Sequence, residues 1–253
     1  MMKNTPRHAL LTKNRLDNIT DNDVSGQHYL DVVKAFARLS YESIYIIDYS
    51  NMSFEYVSDN PLFLCGHTAD EVIQLGYEFY FLHVPPQDLE MLSTINDAGF
   101  DFYAQLPEPE KKQYSISYDF HLVTKAGKQI LVNHRLTPLF LTTEGKIWKS
   151  MCVVSLSSQQ HPGNVRIFKQ SSNDIWQLNL QTRKWSKNGK PALTDRELEV
   201  LRMYAQGLSI NQIAEKIFVV PDTVKYYRRK IFERLEVKSI ADALAQAVNN
   251  RMI

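Results

Sequence analysis

At 253 residues with a net charge of +1, the chain has room for two domains, and its charge is unevenly spread. Its two cysteines, Cys65 and Cys152, lie far apart without metal-ligand spacing, which argues against a disulfide framework and fits a reducing cytoplasm. No run of 18 apolar residues occurs and no apolar core follows the opening Met-Met-Lys-Asn, so a soluble, cytoplasmic protein that neither spans a membrane nor is exported is expected. Residues 1–158 carry a net −6 (13 basic, 19 acidic), residues 159–192 a net +5 (6 and 1) and residues 193–253 a net +2 (10 and 8). An acidic front and a cationic rear suit a protein that meets a polyanion with its C-terminal end alone.

Residues 1–25 are polar and mixed and read as a loose arm. Gln27 to Leu39, with Tyr29, Leu30, Val32, Val33, Phe36 and Ala37, predicts an amphipathic helix, which packs either on its own sheet or on a second subunit. Ser43–Asp48 and Phe54–Val57 predict a hairpin. Thr68 followed by Glu71 is a capping box opening a helix, and a longer helix is expected over about Pro86–Tyr103. Three strands follow, Tyr114–Val123, Gln129–Phe140 and Lys146–Ser155, with glycine-bearing turns at 125–128 and 142–146. Two strands, several short helices, a connecting helix and three long antiparallel strands resemble a PAS domain over roughly residues 40–157. Asp48, Tyr56-Val57-Ser58-Asp59-Asn60, Leu64-Cys65-Gly66 and the hairpin Thr124–Lys128 carry the resemblance. It implies a domain that senses a small molecule, holds haem or flavin, or serves to dimerise.

Residue chemistry in this region is sparse. Cys65 stands in Leu-Cys-Gly and not in the Asn-Cys-Arg setting of flavin photoreceptors, so it reads as a buried structural thiol. His83 follows the aromatic run Tyr77, Phe79, Tyr80, Phe81; a haem ligand is one reading of it and a packed residue the other. His121 and His134 fall on strands as satisfied polar residues. No Ser-His-Asp set, phosphate-cradling glycine loop or His-Glu-x-x-His occurs, so no enzymatic role is expected, no metal site is expected, and no resident cofactor is called for. The strand order is not that of a βα-repeat receiver domain either. Phe54, Tyr56, Phe63, Phe79, Phe81 and Tyr118, with the other aromatics up to Tyr118, either line a small-ligand cavity or fill a core.

Val165–Lys169 and Asp174–Leu180 predict a further hairpin, which either extends the sheet or couples the two ends of the chain. Trp185–Pro191 reads as a basic linker.

From Leu193 onward the signals are local and dense. Thr194 with Glu197 and Ser209 with Gln212 are capping boxes, and Gly207 is a left-handed helix stop. Leu198, Leu201 and Ala205 mark the first apolar face, with Val200 and Tyr204 flanking it. Pro221 suits the first position of a third helix, in which Val224, Tyr227, Ile231 and Leu235 share one face and Lys225, Tyr226, Arg228, Arg229 and Lys230 the other. A fourth helix has Ile240, Leu244, Ala247 and Val248 on its apolar face. This is a helix-turn-helix. Leu193-Thr194, Arg196-Glu197, Glu199-Val200-Leu201, Gly207, Ser209, Ile213-Ala214, Thr223-Val224-Lys225, Ile231 and Leu235 together resemble the LuxR-type (GerE-like) domain of bacterial transcription regulators, over about a quarter of the chain. The resemblance implies groove contacts by Lys225, Tyr226 and Arg229 and DNA-backbone contacts by Thr223 and Arg228. Three departures stand out: Val220 in place of a capping serine, Tyr227 in place of a histidine, and Ile210-Asn211-Gln212 in place of Asn-Lys-Glu.

The expected architecture is therefore α+β: a PAS-like antiparallel sheet with helices over 26–158, a hairpin and linker over 159–192, and an all-α helix-turn-helix bundle over 193–253. The resemblances imply promoter DNA, a second copy of the chain and RNA polymerase as partners, and no membrane.

Overall fold

The structure, a computed structural model, describes residues 29–170, 172, 174–189, 193–249 and 252–253. The expected arm at 1–25 and the end of the linker at 190–192 lie outside the described residues. The chain divides into two compact units that meet at residues 188–189.

The first unit is built on one eight-stranded antiparallel sheet. Its strands are β1 (Ser43–Asp48), β2 (Ser53–Val57), β3 (Tyr114–Val123), β4 (Gln129–Leu141), β5 (Ile147–Leu156), β6 (Gly163–Lys169), β7 (Asp174–Asn179) and β8 (Lys184–Gly189), in the spatial order 2-1-5-4-3-6-7-8. The first five are the strands expected over residues 40–157. Helices α2 (Pro61–Leu64), α3 (Ala69–Leu75), α4 (Glu78–His83) and α5 (Pro86–Ala104) fall between β2 and β3. Alternation along β1 shows how the layers are arranged. Tyr45 and Ile47 join the main core with the helical layer, whereas Ile44 and Ile46 join a second cluster with Val33 of α1 (Tyr29–Leu39). Both faces of β1 are covered, so the strand reads as an unbroken apolar run instead of an alternating one. Helix α1 thus packs on its own sheet, and the Tyr29 hydroxyl reaches the Glu55 carboxylate.

Local signals set the helix starts. Asn60 caps α2, and Thr68 and Glu71 close the reciprocal box at α3. Helix α4 forms in a stretch the sequence left without an element. The hairpin after β5 extends the sheet, since β6 pairs with β3 from Tyr114↔Lys169 to Asp119↔Gly163. The expected basic linker is a strand over its first part. Trp185 of β8 and Trp176 of β7 both pack on Phe102 of α5, and the Trp185 indole donates to the Ala98 carbonyl at 3.2 Å. The anchored tryptophan and pairing with β7 outweigh the polar, glycine-bearing sequence around it.

The second unit has four helices, α6 (Asp195–Ala205), α7 (Ile210–Lys216), α8 (Pro221–Leu235) and α9 (Ile240–Asn249). Val200, Leu201, Ile213, Val224, Ile231, Ala243 and Ala247 are fully buried in one core. Two expected faces are slightly rotated. Ala205 is exposed, because α6 is centred on Val200 and Leu201, and Val248 is exposed, because α9 turns Ala243 and Ala247 inward.

Candidate functional site

Helix α8 presents the chemically distinctive surface of the second unit. Val224, Ile231 and Leu235 are buried and Tyr227 is half-buried, which fixes the rotation of the helix. That rotation leaves Lys225, Tyr226 and Arg229 exposed, with Thr223, Arg228 and Lys230 half-buried beside them. Asp222, Lys225, Tyr226, Arg228, Arg229 and Phe232 line one shallow groove. The cations are held loosely. Lys225 Nζ lies 3.0 Å from Asp222 Oδ1, and Lys230 Nζ lies 2.7 Å from Glu233 Oε2, all exposed or half-exposed pairs that contribute little to stability. The Arg229 guanidinium sits 5.6 Å from the centre of the Tyr226 ring. A polyanion can therefore displace these partners at small cost.

The frame beneath is rigid. Thr194 accepts from the Glu197 amide while Glu197 accepts from the Thr194 amide at 2.7 Å, and Glu197 is buried with Arg234 Nε at 3.3 Å. Ser209 and Gln212 make the same reciprocal pair at α7. At α8 the capping position holds Val220 and makes no side-chain bond, the loss that the missing serine implied.

The first unit contains a different feature, an apolar cavity of about 70 Å³ between the sheet and α5. Roughly 10–15 Å³ of such space holds one water, so the cavity admits a molecule of a few heavy atoms. Tyr49, Tyr77, Tyr80, Tyr103 and Tyr118 line it, together with Ile47, Leu92, Ile95, Asn96 and Gly99. Burial pushes the phenols of Tyr49, Tyr77, Tyr80, Tyr103 and Tyr118 upward, so each stays protonated. The Tyr103 hydroxyl is buried with no hydrogen-bond partner.

Of the aromatics expected up to Tyr118, Tyr77, Tyr80, Phe100, Tyr103 and Tyr118 line this space, whereas Phe54, Tyr56, Phe63, Phe79 and Phe81 do not. Phe54, Phe63 and Phe79 are wholly buried in a ring cluster: Phe63 stacks on Tyr45 with centroids 4.2 Å apart, and Phe79 lies 4.7 Å from Phe63. Phe81 packs on the edge of that core, and Tyr56 faces the opposite side of the sheet, with the α1 cluster. Aromatic content alone did not separate the rings that fill the core, such as Tyr45 and Phe63, from those that edge the cavity, such as Phe100 and Tyr118.

His67, His83, His121 and His134 each have a partner. His83 Nδ1 meets the Val123 carbonyl at 2.6 Å and its Nε2 meets His67 Nε2 at 2.8 Å. His121 Nδ1 lies 2.9 Å from Asp88 Oδ2. His134 is wholly buried, its Nε2 2.6 Å from the Tyr45 hydroxyl and its Nδ1 unpartnered, and burial drives its pKa down to about 3. Cys65 is buried, and burial pushes its thiol up to about 12. No histidine or cysteine lines this cavity, so it offers no imidazole for a haem iron and no thiol for a flavin adduct. Among the described residues no cluster of three or more His, Cys, Asp or Glu is placed to hold a metal, and no helix is long and apolar enough to cross a membrane.

Residues 191–247 match the family described as bacterial regulatory proteins, luxR family. Over 63 residues the chain is 41% identical to the probable transcriptional regulatory protein NarL of Mycobacterium tuberculosis, covering 25% of this chain and 29% of that protein. Over 68 residues it is 43% identical to a nitrate/nitrite response regulator protein homolog of Haemophilus influenzae, covering 27% of this chain and 32% of the relative. The chain thus spans less than a third of the length of these relatives. Among solved structures, a VqmA dimer of Vibrio cholerae without its target DNA aligns over 87% of each chain at 18% identity, with a TM-score of 0.34.

Proposed function

We propose, from the premise that residues 191–247 are a LuxR-type helix-turn-helix domain, that the whole chain is a cytoplasmic transcription regulator and not an enzyme. It binds promoter DNA through α8 and uses its PAS-like unit to sense and to assemble. The observation that carries this is the cationic outer face of α8 on a capped, fully packed core. Lys225, Tyr226 and Arg229 enter the major groove, and Thr223 and Arg228 take phosphates. Affinity then falls steeply with salt, because each neutralised phosphate releases counterions. The test is anisotropy on duplexes enriched from a random pool by the full chain. Lys225→Ala should weaken binding about tenfold, and Arg229→Ala should relax sequence preference by about 1–3 kcal/mol at one position. An Arg229→Ala chain that keeps its preference removes this assignment, and wild-type binding that ignores salt removes the DNA reading.

In the first unit, the unpartnered Tyr103 hydroxyl favours a small uncharged ligand that brings a hydrogen-bonding atom into the cavity. Assembly uses the outer face of α1, where Val32, Phe36 and Leu39 form an exposed apolar stripe. A dimer sets two copies of α8 on half-sites about one helical turn apart, where RNA polymerase meets the bound regulator. Sedimentation velocity checks the assembly: a full chain that stays monomeric both free and on duplex removes it.

A further inference from the structure

Helices α6 and α7 end in the same hydrogen-bonded turn and differ in the residue at its left-handed position. In the first, Gly207 (φ +79°) donates to Tyr204 at 2.9 Å and Leu208 to Met203 at 3.2 Å. In the second, Phe218 donates to Glu215 at 3.2 Å and Val219 to Ala214 at 2.9 Å. Here the left-handed residue is Phe218, at φ +57°. This turn takes glycine or asparagine by preference, since a left-handed backbone penalises residues with a bulky Cβ substituent. Packing does not offset that penalty, because Phe218 is 95% exposed, more than any other large apolar residue of this unit. The fold gains nothing from the ring, and water is a poor environment for it.

Its position suggests what covers it. Phe218 lies three residues before Pro221, the first residue of α8, and the first turns of a recognition helix are the part that meets base edges. We propose that Phe218 is an uncharged DNA contact at the lip of the groove, packing on thymine methyl groups and deoxyribose edges beside the phosphates held by the neighbouring cations. This rests on the DNA-binding reading above. The contact supplies apolar burial and releases no counterion, so it adds affinity without adding salt dependence.

Phe218→Asn separates this role from a structural one, because asparagine suits the left-handed backbone and lacks the ring. On a fluorescent duplex enriched by the wild-type full chain, Phe218→Asn should bind about tenfold more weakly. The slope of affinity against salt should stay unchanged and the melting temperature should equal or exceed that of the wild type. Phe218→Leu, still apolar, should stay within about threefold of wild type. Unchanged affinity in Phe218→Asn overturns the proposal while leaving the DNA reading intact. So does a loss accompanied by a lower melting temperature or a shallower salt slope. A wild-type chain that enriches no duplex overturns both.

Discussion

The two units place their chemistry on opposite sides of their cores. In the helical unit the buried apolar residues are aliphatic, with Glu197 buried beside them, and the polar and aromatic groups with a proposed role stand outside on α8. In the sheet unit the interior holds tyrosines, a neutral histidine and a cavity, and α1 packs on the opposite face of the sheet. The difference teaches where sequence reasoning succeeds. An outward face is set by the period of one helix, but a cavity is set by which side chains from six or seven elements fail to meet.

Acid should divide the units most strongly. His134 is wholly buried and its pKa is driven down to about 3, whereas an unfolded histidine titrates near 6.5. A depressed histidine favours the folded state above the unfolded value and withdraws that contribution as pH falls towards the folded one. The sheet unit should therefore lose stability from about pH 6.5 downward, by up to about 4 kcal/mol near pH 3. The helical unit contains no histidine in residues 193–253 and has no such dependence on this ground. All three tryptophans, Trp148, Trp176 and Trp185, lie in the sheet unit, so their fluorescence reports that unit alone during urea unfolding. A fluorescence midpoint as flat between pH 6.5 and 5 in the wild type as in His134→Gln would remove the assignment.

Helix α1 is the place where the comparison breaks, because there the sheet unit also turns an apolar face outward. Phe36 is half exposed, so Phe36→Asp should leave the unit folded while placing a charge in the proposed subunit contact. Assembly should weaken by about 2 kcal/mol, read as the concentration at which sedimentation shifts from dimer to monomer. An unchanged dissociation concentration would move the interface elsewhere.

Much of this was legible beforehand for reasons that lie within a few residues. The reciprocal caps at Thr68, Thr194 and Ser209 need only a hydroxyl and a Glu or Gln three positions on, so sequence suffices to place them. The buried stripe of α8 follows from spacing alone. Strand β8 was not legible, since its Lys-Trp-Ser-Lys-Asn-Gly is held by β7 beside it and by Trp185, whose indole bonds a helix 87 residues away. Which of the expected aromatics fill the core and which edge the cavity was not legible for the same reason. Phe63 reaches the core by stacking on Tyr45, and nothing near Phe63 in sequence reports that pairing.

The smallest expected effect bears on whether the cavity is a site or a packing remnant. Gly99 lies within α5 and lines the cavity, and a Cβ built there meets only Ile116 Cδ1, at an ordinary 3.5 Å. Alanine is the better helix residue, so Gly99→Ala should stabilise the sheet unit by about 0.5–1 kcal/mol whatever the cavity does. The added methyl occupies space that a ligand would use. If the tyrosine-lined space is a signal site, Gly99→Ala should bind DNA as the wild type does without ligand and respond less to small uncharged molecules that shift the wild type's melting temperature. If the space is a remnant, a screen of such molecules shifts neither protein, and the glycine is only a weak point in the helix. A stabilised Gly99→Ala chain with an undiminished ligand response would place the ligand elsewhere, and the inward chemistry of the sheet unit would then be packing alone.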